Sequence, residues 1–344
     1  MKILHLLASN KFSGAEHIAV DIIRALQEKH KLVYVSPTGE IEEFLKKEKI
    51  SYISLNKLSY LEVYGVIKNY KPDIIHAHDY RASCIAVFLP FRGKIISHIH
   101  NNNSWAKSLN LFTLLYYLAL RRIDRVITVS ASVIDEFIFC KAMKKKAIII
   151  KNAINIEYIS KNYLKDKQDK QYYSDILFVG RLAEQKDPLR FIEIVKEIKE
   201  IKNDICVRII GTGILMDEVQ EAILKFNLQR NIEILGFKSN PYIYMKNTKL
   251  LMMTSRWEGF GLVAIEAMLL GTPVLGTGVG GLKNIIENYC SEWVCQSDEE
   301  FVNRSIEILN NESKFLDKNK IREYAEEMNS FNDFISKFDL LYKE

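Results

Sequence analysis

Cysteine is scarce in this sequence, and its pattern excludes two kinds of stabilising centre. The 344 residues include five cysteines, an odd number, and no two of them form a Cys-x-x-Cys pair. A disulfide framework and a cysteine-ligated zinc site both require regularly paired cysteines. We therefore expect free thiols in a reducing, cytoplasmic compartment. The five are Cys84, Cys140, Cys206, Cys290 and Cys295.

Long apolar runs are also missing. The longest mostly apolar stretch, Leu109 to Leu120, is well short of the ~20 residues that a membrane-spanning helix needs. The opening residues MKILHLLASNKFSG turn polar too early for a secretory signal peptide. We expect neither a membrane span nor a signal peptide.

Two nucleotide-related signatures are incomplete or absent. Gly211-Thr212-Gly213 follows an apolar strand-like run, but Met216 stands where a dinucleotide-binding fingerprint has its third glycine. The pattern therefore does not support NAD binding, and we expect no cofactor. No segment matches a module that reads nucleic-acid grooves or stacks bases, so nucleic acid is not an expected partner.

Charge is distributed unevenly along the chain. The formal net charge is +5, yet residues 1–155 contain 23 Lys and Arg against 13 Asp and Glu. The remaining residues are therefore net acidic. A basic first half favours an anionic partner surface.

The length and the rhythm of apolar runs predict two α/β domains. Short, continuously apolar strand patterns alternate with helical patterns such as Ala15–Glu28 and Trp105–Arg122. This alternation is typical of doubly wound parallel sheets covered on both faces. It is interrupted by a polar, lysine-rich stretch at 155–174, which indicates an interdomain connection. The predicted strands are Ile3–Leu7, Leu32–Ser36, Ser51–Ile53, Asp73–His76, Lys94–Ile99, Arg125–Val129, Ala147–Ile150, Asp175–Val179, Cys206–Ile210, Asn231–Leu235, Leu250–Met253 and Pro273–Leu275.

Chemistry-bearing residues follow several of these strands. Open α/β sheets bind ligands where strands end and helices begin. Gly14 follows the first strand, and alone it is a weak signal. Gly180-Arg181 and Lys186 follow a later strand, ahead of a helix that starts with proline. Two cations so placed can clamp a diphosphate, although a solvated loop would also carry them.

The densest pattern is Ser255-Arg256-Trp257-Glu258-Gly259-Phe260-Gly261-Leu262, with Glu266 following in the same predicted helix. Gly259 and Gly261 leave the backbone exposed at a helix N-terminus, which attracts anions. Glu258 and Glu266 could accept hydrogen bonds from sugar and ribose hydroxyls. An isolated Glu266 would more simply be read as a helix-face ion pair.

Together these segments closely resemble the retaining family-4 (group 1) glycosyltransferases of the GT-B fold. The resemblance rests on GRLAEQKDP and SRWEGFGLVAIEAMLLGTPVLGTGVGG in the second half, and on KILHLLASNKFSGAEHIAVDII, PDIIHAHDYRAS and RVITVSAS in the first. It implies two facing Rossmann-like domains, with a C-terminal helix that crosses back to the first. The implied bounds are 1–154 plus 328–344 for an acceptor-binding domain and 155–327 for a nucleotide-sugar-binding domain.

The resemblance also implies roles for individual residues. Glu266 would hold the ribose and Glu258 the donor sugar, while Arg181 and Lys186 would neutralise the departing diphosphate. His100 would lie near the reacting sugar, with His98 as the competing choice. His5, His76 and His78 are more readily explained as core or loop residues. The remaining donor-binding positions are Gly14, Gly180, Gly213, Gly259, Phe260, Gly261 and Leu262.

The implied reaction moves a hexose or N-acetylhexosamine, with UDP as the first guess for the nucleotide. The acceptor would be a glycan or a polyprenyl-linked intermediate of bacterial surface polysaccharide. Because the chain has no Asp-x-Asp, we expect the cationic clamp and the helix end to replace a metal ion. No protein nucleophile is expected, since the leaving phosphate would take the acceptor's proton.

Three alternative functions share some of these features. A glycoside hydrolase would also use two carboxylates but needs no diphosphate clamp. A sugar-nucleotide epimerase on the same fold is the main competitor. A non-catalytic nucleotide-sugar-binding protein would be expected to lack part of the set Arg181, Lys186, Glu258 and Glu266.

Two amphipathic segments complete the expectations. Phe331, Phe334, Phe338 and Leu341 predict a final helix packed on the first domain. Ser104–Arg125 combines apolar residues with following cations, which suits peripheral contact with the anionic inner face of the plasma membrane. The alternative is that this helix buries its apolar stripe against the sheet. The stripe consists of Trp105, Leu109, Phe112, Leu115, Tyr116 and Leu120, and the cations are Arg121, Arg122, Arg125, Lys141, Lys144, Lys145 and Lys146.

Overall fold

A computed structural model describes residues 1–11, 14–163 and 170–344. The chain forms two compact units, residues 1–153 with 331–344 and residues 154–330. Each unit is a parallel sheet flanked by helices, as the alternating sequence pattern predicts.

Strands and helices alternate through both units. Residues 1–153 form β1 (Lys2–Leu7), α1 (Gly14–Leu26), β2 (Lys31–Pro37), α2 (Ile41–Lys47), β3 (Tyr52–Leu55), α3 (Tyr60–Tyr70), β4 (Ile74–His78), α4 (Tyr80–Phe88), β5 (Lys94–Ile99), α5 (Leu111–Ala119), β6 (Arg125–Thr128), α6 (Ala131–Asp135), α7 (Cys140–Lys144) and β7 (Ala147–Ile149). Residues 154–330 form α8 (Ile156–Tyr163), β8 (Ser174–Val179), α9 (Pro188–Ile201), β9 (Val207–Ile210), α10 (Met216–Lys225), β10 (Ile232–Gly236), α11 (Tyr242–Lys246), β11 (Thr248–Met253), α12 (Leu262–Leu269), β12 (Val274–Thr277), α13 (Gly280–Glu287), β13 (Val294–Cys295), α14 (Asp298–Leu309) and α15 (Lys318–Met328). The chain then returns to the first unit as α16 (Phe331–Lys343).

The strand orders are those of doubly wound sheets. The first sheet runs β3-β2-β1-β4-β5-β6-β7 and the second β10-β9-β8-β11-β12-β13, with every described pair parallel. The central strands are almost entirely buried, because helices cover both faces of the sheet. In each sheet the carboxyl ends of neighbouring strands therefore meet along one edge.

The final helix α16 packs in the first unit. Phe334, Phe338 and Leu341 are buried there, as their spacing predicts, while Phe331 is half-exposed. At its polar side, Asp339 accepts hydrogen bonds from Lys29 and from Lys343, and it lies 2.8 Å from His30 Nε2. These partners, Lys343 foremost, hold the pKa of Asp339 well below its ordinary value.

Two local predictions were wrong, and one strand was not predicted. The helix predicted over Trp105–Arg122 is interrupted, because Asn110 and Thr113 form a capping box that starts α5 afresh at Leu111. The stretch predicted as a connection contains α8, whose Ile159 is buried. Residues 164–169 of that stretch lie outside the described residues. The two-residue strand β13 was not foreseen.

The apolar stripe predicted near α5 divides between core and surface. Tyr116 and Leu120 are buried, whereas Leu109, Leu111, Phe112, Leu114 and Leu118 are exposed, from 41% for Leu118 to 69% for Leu109. We call these five exposed residues the α5 patch. Within the described part of the chain, no helix has both the length and the hydrophobicity that a membrane crossing demands.

Candidate functional site

The predicted donor-binding residues of the second half lie at the carboxyl edge of the second sheet, in loops and in the first turns of α12. One loop (residues 180–187) follows β8 and another (residues 254–261) follows β11, and these two strands are neighbours. Loops after β9 and β12 flank them. The topology therefore brings together residues that are 72 positions apart in sequence.

The two central loops are joined by hydrogen bonds at several points. The backbone N–H of Arg256 donates to the carbonyl of Gln185 (2.8 Å), and Gln185 Nε2 donates to the carbonyl of Trp257 (3.2 Å). Thr254 Oγ1 donates to the carbonyls of Lys186 and Asp187. Because their backbones are tied together, the loops hold their side chains in fixed positions.

Lys186 and Glu258 meet at the centre of this arrangement. Lys186 Nζ forms an ion pair with Glu258 Oε1, and the two side chains are only 15% and 7% exposed. The same oxygen accepts a hydrogen bond from Ser255 Oγ at 2.9 Å. The sequence predicts separate roles for the two residues and gives no sign of this direct pair.

Arg181 lies in the same loop but faces solvent. Its guanidinium donates one hydrogen bond, at 2.9 Å, to the side chain of Gln185. An exposed guanidinium has further N–H donors to offer an anion. Arg181 is therefore the more accessible of the two predicted phosphate-binding cations, and Lys186 the more enclosed.

Helix α12 begins beside Glu258. Gly261 is its N-cap and has a φ of +99°, a left-handed conformation that favours glycine, and Leu262 is the first helical residue. Phe260 is buried. No acidic side chain occupies the first turn of α12. The free N–H groups of this turn form a local positive pole next to the Lys186–Glu258 pair.

Glu266 lies one turn further into α12. Its side chain is buried, and Tyr242 Oη lies 3.4 Å from Glu266 Oε1. Tyr242 belongs to α11, a short helix that nothing in the sequence marked as functional. A buried carboxylate held by a tyrosine hydroxyl is a pre-positioned acceptor for ligand hydroxyl groups.

Several glycines at this edge are required by close packing of the protein itself. A Cβ at Gly213 would lie 2.1 Å from the carbonyl oxygen of Leu182, and one at Gly211 would lie 1.8 Å from that of Gly180. A Cβ at Gly280 would lie 1.7 Å from the carbonyl oxygen of Glu258. These close approaches account for the glycines by themselves, so the donor-binding role predicted for Gly213 stays a prediction. At Gly180 a Cβ would meet the Lys186 side chain at 3.3 Å.

In the first unit, the predicted site residues lie near the ends of β1 and β5. Gly14 is the exposed first residue of α1. His100 follows β5 and is partly buried, whereas His98, the competing choice, is fully buried within that strand. Burial lowers the pKa of His100 to about 3 and places that of His98 well below its ordinary value. His100 is therefore the better placed of the two to meet a ligand.

His100, four further histidines and one tyrosine form a continuous array. Alternating residues of β1, β4 and β5 place the histidines on one face of the sheet, and α16 supplies the tyrosine. We call this group the histidine array. In order, the atoms in contact are His100 Nε2 with His78 Nδ1 (3.0 Å), His78 Nε2 with His5 Nδ1 (3.0 Å), His5 Nε2 with Tyr342 Oη (3.4 Å), Tyr342 Oη with His76 Nδ1 (2.7 Å), and His76 Nε2 with His98 Nδ1 (3.3 Å).

Two triads within the array have nitrogens spaced closely enough to consider a metal ion. His5, His76 and His78 form one, and His78, His98 and His100 the other, with one nitrogen from each residue within 4.8 Å of the others. The nitrogens are, however, largely committed to one another through hydrogen bonds. The sequence predicted no metal, and that stays a prediction.

Asp79 follows His78 directly and is a further buried titratable group. It caps α4 by accepting a hydrogen bond from the N–H of Ala82 at 2.7 Å, with a φ of +107°. Burial, aided by the charge of Glu16, raises the pKa of Asp79 to about 7. Its role was not predicted, although a helix-capping Asp after a strand is a recognisable signal.

Two family profiles match the chain. The profile described as "Glycosyl transferases group 1" matches residues 160–328, and that described as "Glycosyltransferase Family 4" matches residues 12–158. Together they cover most of both units, including every predicted site residue.

Individual relatives agree with these profiles. An uncharacterized glycosyltransferase of Methanocaldococcus jannaschii is 28% identical over 235 residues, which are 63% of this chain and 58% of the relative. The Campylobacter jejuni N-acetylgalactosamine-N,N'-diacetylbacillosaminyl-diphospho-undecaprenol 4-alpha-N-acetylgalactosaminyltransferase is 35% identical over 133 residues, 39% of this chain and 35% of the relative. The capsular polysaccharide biosynthesis glycosyltransferase CapH of Staphylococcus aureus is 24% identical over 285 residues, 78% of each chain. The match thus spans less than two thirds of the first two relatives.

Among solved structures, Anabaena HepE in complex with UDP-glucose has the same fold. The TM-score is 0.87 at 20% identity, with 100% of this chain and 99% of that chain covered.

Proposed function

Because this chain belongs to the group 1 glycosyltransferases, we propose that it is a retaining hexosyltransferase. It would transfer a hexose or N-acetylhexosamine from a UDP-sugar to a glycan or lipid-linked acceptor. The relatives named above include a capsule enzyme and one that acts on a diphospho-undecaprenol intermediate. Their activities favour an acceptor of bacterial surface polysaccharide synthesis, at the cytoplasmic side of the membrane.

One observation carries this proposal: Lys186 and Glu258 are paired directly beside the positive pole of α12. Departure of a nucleoside diphosphate concentrates negative charge on phosphate oxygens. Arg181, Lys186 and the amide groups at the start of α12 are the donors suited to stabilise that charge without a metal ion.

The pair also suggests how the donor would be received. A phosphate oxygen would offer Lys186 a second anionic partner, and Glu258 would then be available to accept hydrogen bonds from the sugar. Ser255 continues to orient the carboxylate, since it donates to the same oxygen. Glu266, one turn deeper and held by Tyr242, is suited to accept from ribose hydroxyls.

In a retaining reaction of this kind the acceptor attacks the face from which the diphosphate departs. The departing phosphate takes the acceptor's proton, so no protein nucleophile is required. His100 of the first unit would contact the donor sugar rather than transfer a proton. Preorganised charge supplies the rate enhancement.

A two-step experiment tests the proposal. Purified protein is first screened against UDP- and GDP-sugars for a rise in Tm, since ligands that bind only the folded state stabilise it. The stabilising donor is then incubated with and without a polyprenyl-diphosphate-linked sugar acceptor. Acceptor-dependent release of UDP supports transfer. Conversion of the donor sugar without acceptor would instead identify an epimerase, and stabilisation without turnover a binding protein.

We further propose that the α5 patch contacts an anionic membrane surface. The patch exposes five large apolar side chains, and the exposed Arg121 lies two residues after the end of α5. Apolar groups beside cations suit an interfacial helix. Some of the neighbouring cations are already paired, as Lys144 is with Asp135. The apolar side chains should therefore contribute more to membrane binding, and the cations less, than the sequence alone indicates.

Liposome flotation tests the membrane contact. Leu111→Ser/Phe112→Ser should release the protein from anionic vesicles at low salt. The matched control is Ile201→Ser/Ile214→Ser, which removes two exposed apolar side chains from the second unit. If the folded and active wild-type protein did not bind anionic vesicles at low salt, the proposed membrane contact would be wrong.

A further inference from the structure

The histidine array is a single row of six groups joined by five hydrogen bonds. Each histidine-to-histidine contact joins an Nδ1 atom to an Nε2 atom, and Tyr342 Oη lies between His5 Nε2 and His76 Nδ1. The two terminal nitrogens, His98 Nε2 and His100 Nδ1, are buried and have no hydrogen-bond partner among the described residues.

The hydrogens available to this row can be counted. Burial lowers the pKa of all five histidines, so each is neutral near pH 7 and carries one N–H. A neutral imidazole is a donor at one nitrogen and an acceptor at the other. With the tyrosine hydroxyl the row holds six hydrogens. Five occupy the hydrogen bonds, and one remains, either at an end of the row or on Tyr342 Oη.

Two arrangements make every hydrogen bond with the same tautomer at all five histidines. If His98 carries its hydrogen on Nε2, each neighbour must donate towards His98 in turn, and all five histidines are Nε2–H tautomers. If His100 carries its hydrogen on Nδ1, every donor reverses and all five are Nδ1–H tautomers. One mixture also makes all five hydrogen bonds: His5 Nε2–H and His76 Nδ1–H both donate to Tyr342 Oη, and the buried tyrosine hydrogen is then left without an acceptor in the row. Every other mixture leaves a buried contact with two hydrogens or with none, which is costly.

We propose that the histidine array is one tautomeric unit that fixes the hydrogen-bonding role of His100 Nδ1, with Tyr342 as a positioning residue at its centre. In the all-Nε2–H state, the buried His100 Nδ1 is an acceptor for a hydroxyl that enters the site with the ligand. In the all-Nδ1–H state it donates one. The assignment of that ligand as the donor sugar rests on the proposed function.

Nitrogen NMR on protein labelled with ¹⁵N-histidine tests the unit directly. A ring nitrogen that carries hydrogen resonates far from one that does not, so each tautomer can be assigned. We expect all five array histidines to share one tautomer. His17 and His30, which lie outside the array, serve as internal references. Different tautomers among the five in the wild-type protein would overturn the proposal.

Tyr342→Phe keeps the buried ring but removes the central hydroxyl. It divides the row into His100–His78–His5 and His76–His98, which then choose their tautomers independently. We expect the two groups to differ, or one of them to average between forms. The matched control is Tyr116→Phe, which also removes a buried hydroxyl of the same unit, one that lies 2.8 Å from Ser97 Oγ. If Tyr342→Phe left all five tautomers unchanged, Tyr342 would not be the coupling link.

Kinetics give the second readout. Tyr342→Phe should raise KM for the nucleotide-sugar roughly 3- to 10-fold while free UDP binds as before, because His100 acts on the sugar and not on the nucleotide. Tyr116→Phe should change neither value by more than about twofold. An equal loss of UDP affinity in Tyr342→Phe would indicate a merely structural defect and overturn the positioning role.

Metal analysis of the same sample separates the remaining alternative. We expect less than stoichiometric metal. One equivalent of bound Zn²⁺ would take three of these nitrogens as ligands, and those nitrogens could then not take part in the hydrogen bonds of the row. That result would overturn the proposal. The NMR result does not depend on turnover, so an absence of transferase activity would count against the proposed function and leave the tautomeric unit standing.

Discussion

Replacement of Lys186 by Met is the sharpest test of the candidate site. The substitution keeps most of the apolar side chain, which a Cβ at Gly180 would contact, and removes the ammonium group. Glu258 then keeps only the hydroxyl of Ser255 as a described partner for its Oε1 atom. The substitution therefore affects both stability and catalysis, and the two effects can be measured separately.

The stability effect follows from burial. Removal of one partner from a fully buried ion pair costs about 3–5 kcal/mol because the other charge is left unpaired. Since Lys186 is 15% exposed and Ser255 still donates to Glu258, we expect about 1–3 kcal/mol, measured by urea unfolding. Lys186→Met/Glu258→Gln should recover part of this loss, because the unpaired carboxylate is gone.

The catalytic effect should be larger and should not be recovered. Loss of a preorganised donor to the departing phosphate lowers kcat by about 100-fold or more. The double variant should be at least as inactive as either single variant, although it is more stable than Lys186→Met. Donor turnover near the wild-type rate in Lys186→Met would refute the phosphate-clamp reasoning.

Lys249→Met is the matched control. Lys249 also pairs with a buried carboxylate, that of Asp175, at 3.0 Å, but it lies near the start of β11, at the opposite edge of the same sheet. We expect a loss of stability of similar kind with activity retained. Equal inactivation of both variants would show that the assay reports unfolding and not the site.

Three further predictions concern the nucleotide, metal and pH. Glu266→Ala should weaken UDP binding by about 1–3 kcal/mol in calorimetry. 2′,3′-dideoxy-UDP should bind the wild-type protein more weakly than UDP does by a similar amount, and the Glu266→Ala substitution should weaken its binding little further. UDP binding of wild-type strength by Glu266→Ala would contradict the ribose assignment. Activity should survive EDTA, whereas loss with EDTA and recovery with Mn²⁺ would contradict a metal-free clamp. Burial raises the pKa of Asp79 from 3.8 to about 7, so between these pH values the folded state holds a proton that the unfolded state has lost. The free energy of unfolding should therefore fall as the pH rises from 3.8 to about 7, by at most about 1.4 kcal/mol per pH unit. Asp79→Asn keeps an oxygen to cap α4 and should flatten this slope in urea melts at pH 5 and 8; an unchanged slope would assign the dependence to other groups.

The sequence predicts the strands well because strands buried on both faces are predominantly apolar, as around Leu4, Ile75 and Leu177. It predicts helix ends less well. The restart of α5 depends on Asn110 and Thr113 bonding to each other, and both residues look like ordinary interruptions of an apolar run. The strand β13 has two residues and offers no periodicity at all.

The site residues divide in the same way. Arg181, Glu258 and Glu266 could be named from strand-end position and motif. The Lys186–Glu258 pair could not, since it depends on β8 and β11 being neighbours. The histidine array could be predicted from the sequence only in part. His76 and His78 are spaced to share a face of the sheet, and so are His98 and His100. The strand order that joins them to His5, and the helix that brings Tyr342, are tertiary facts.

The return of α16 to the first unit determines when that unit can be completed during synthesis. Residues 154–330 form a contiguous unit, which can fold as soon as it has emerged from the ribosome. The first unit lacks Phe338 and Tyr342 from its interior until residues 331–344 have been made. The segment made first is thus the last to reach its native packing. Its apolar face is covered only after the synthesis of α16, which lies about 180 residues after its last strand, β7. A stop codon near position 330 would leave the second unit intact and deprive the first of its final core element.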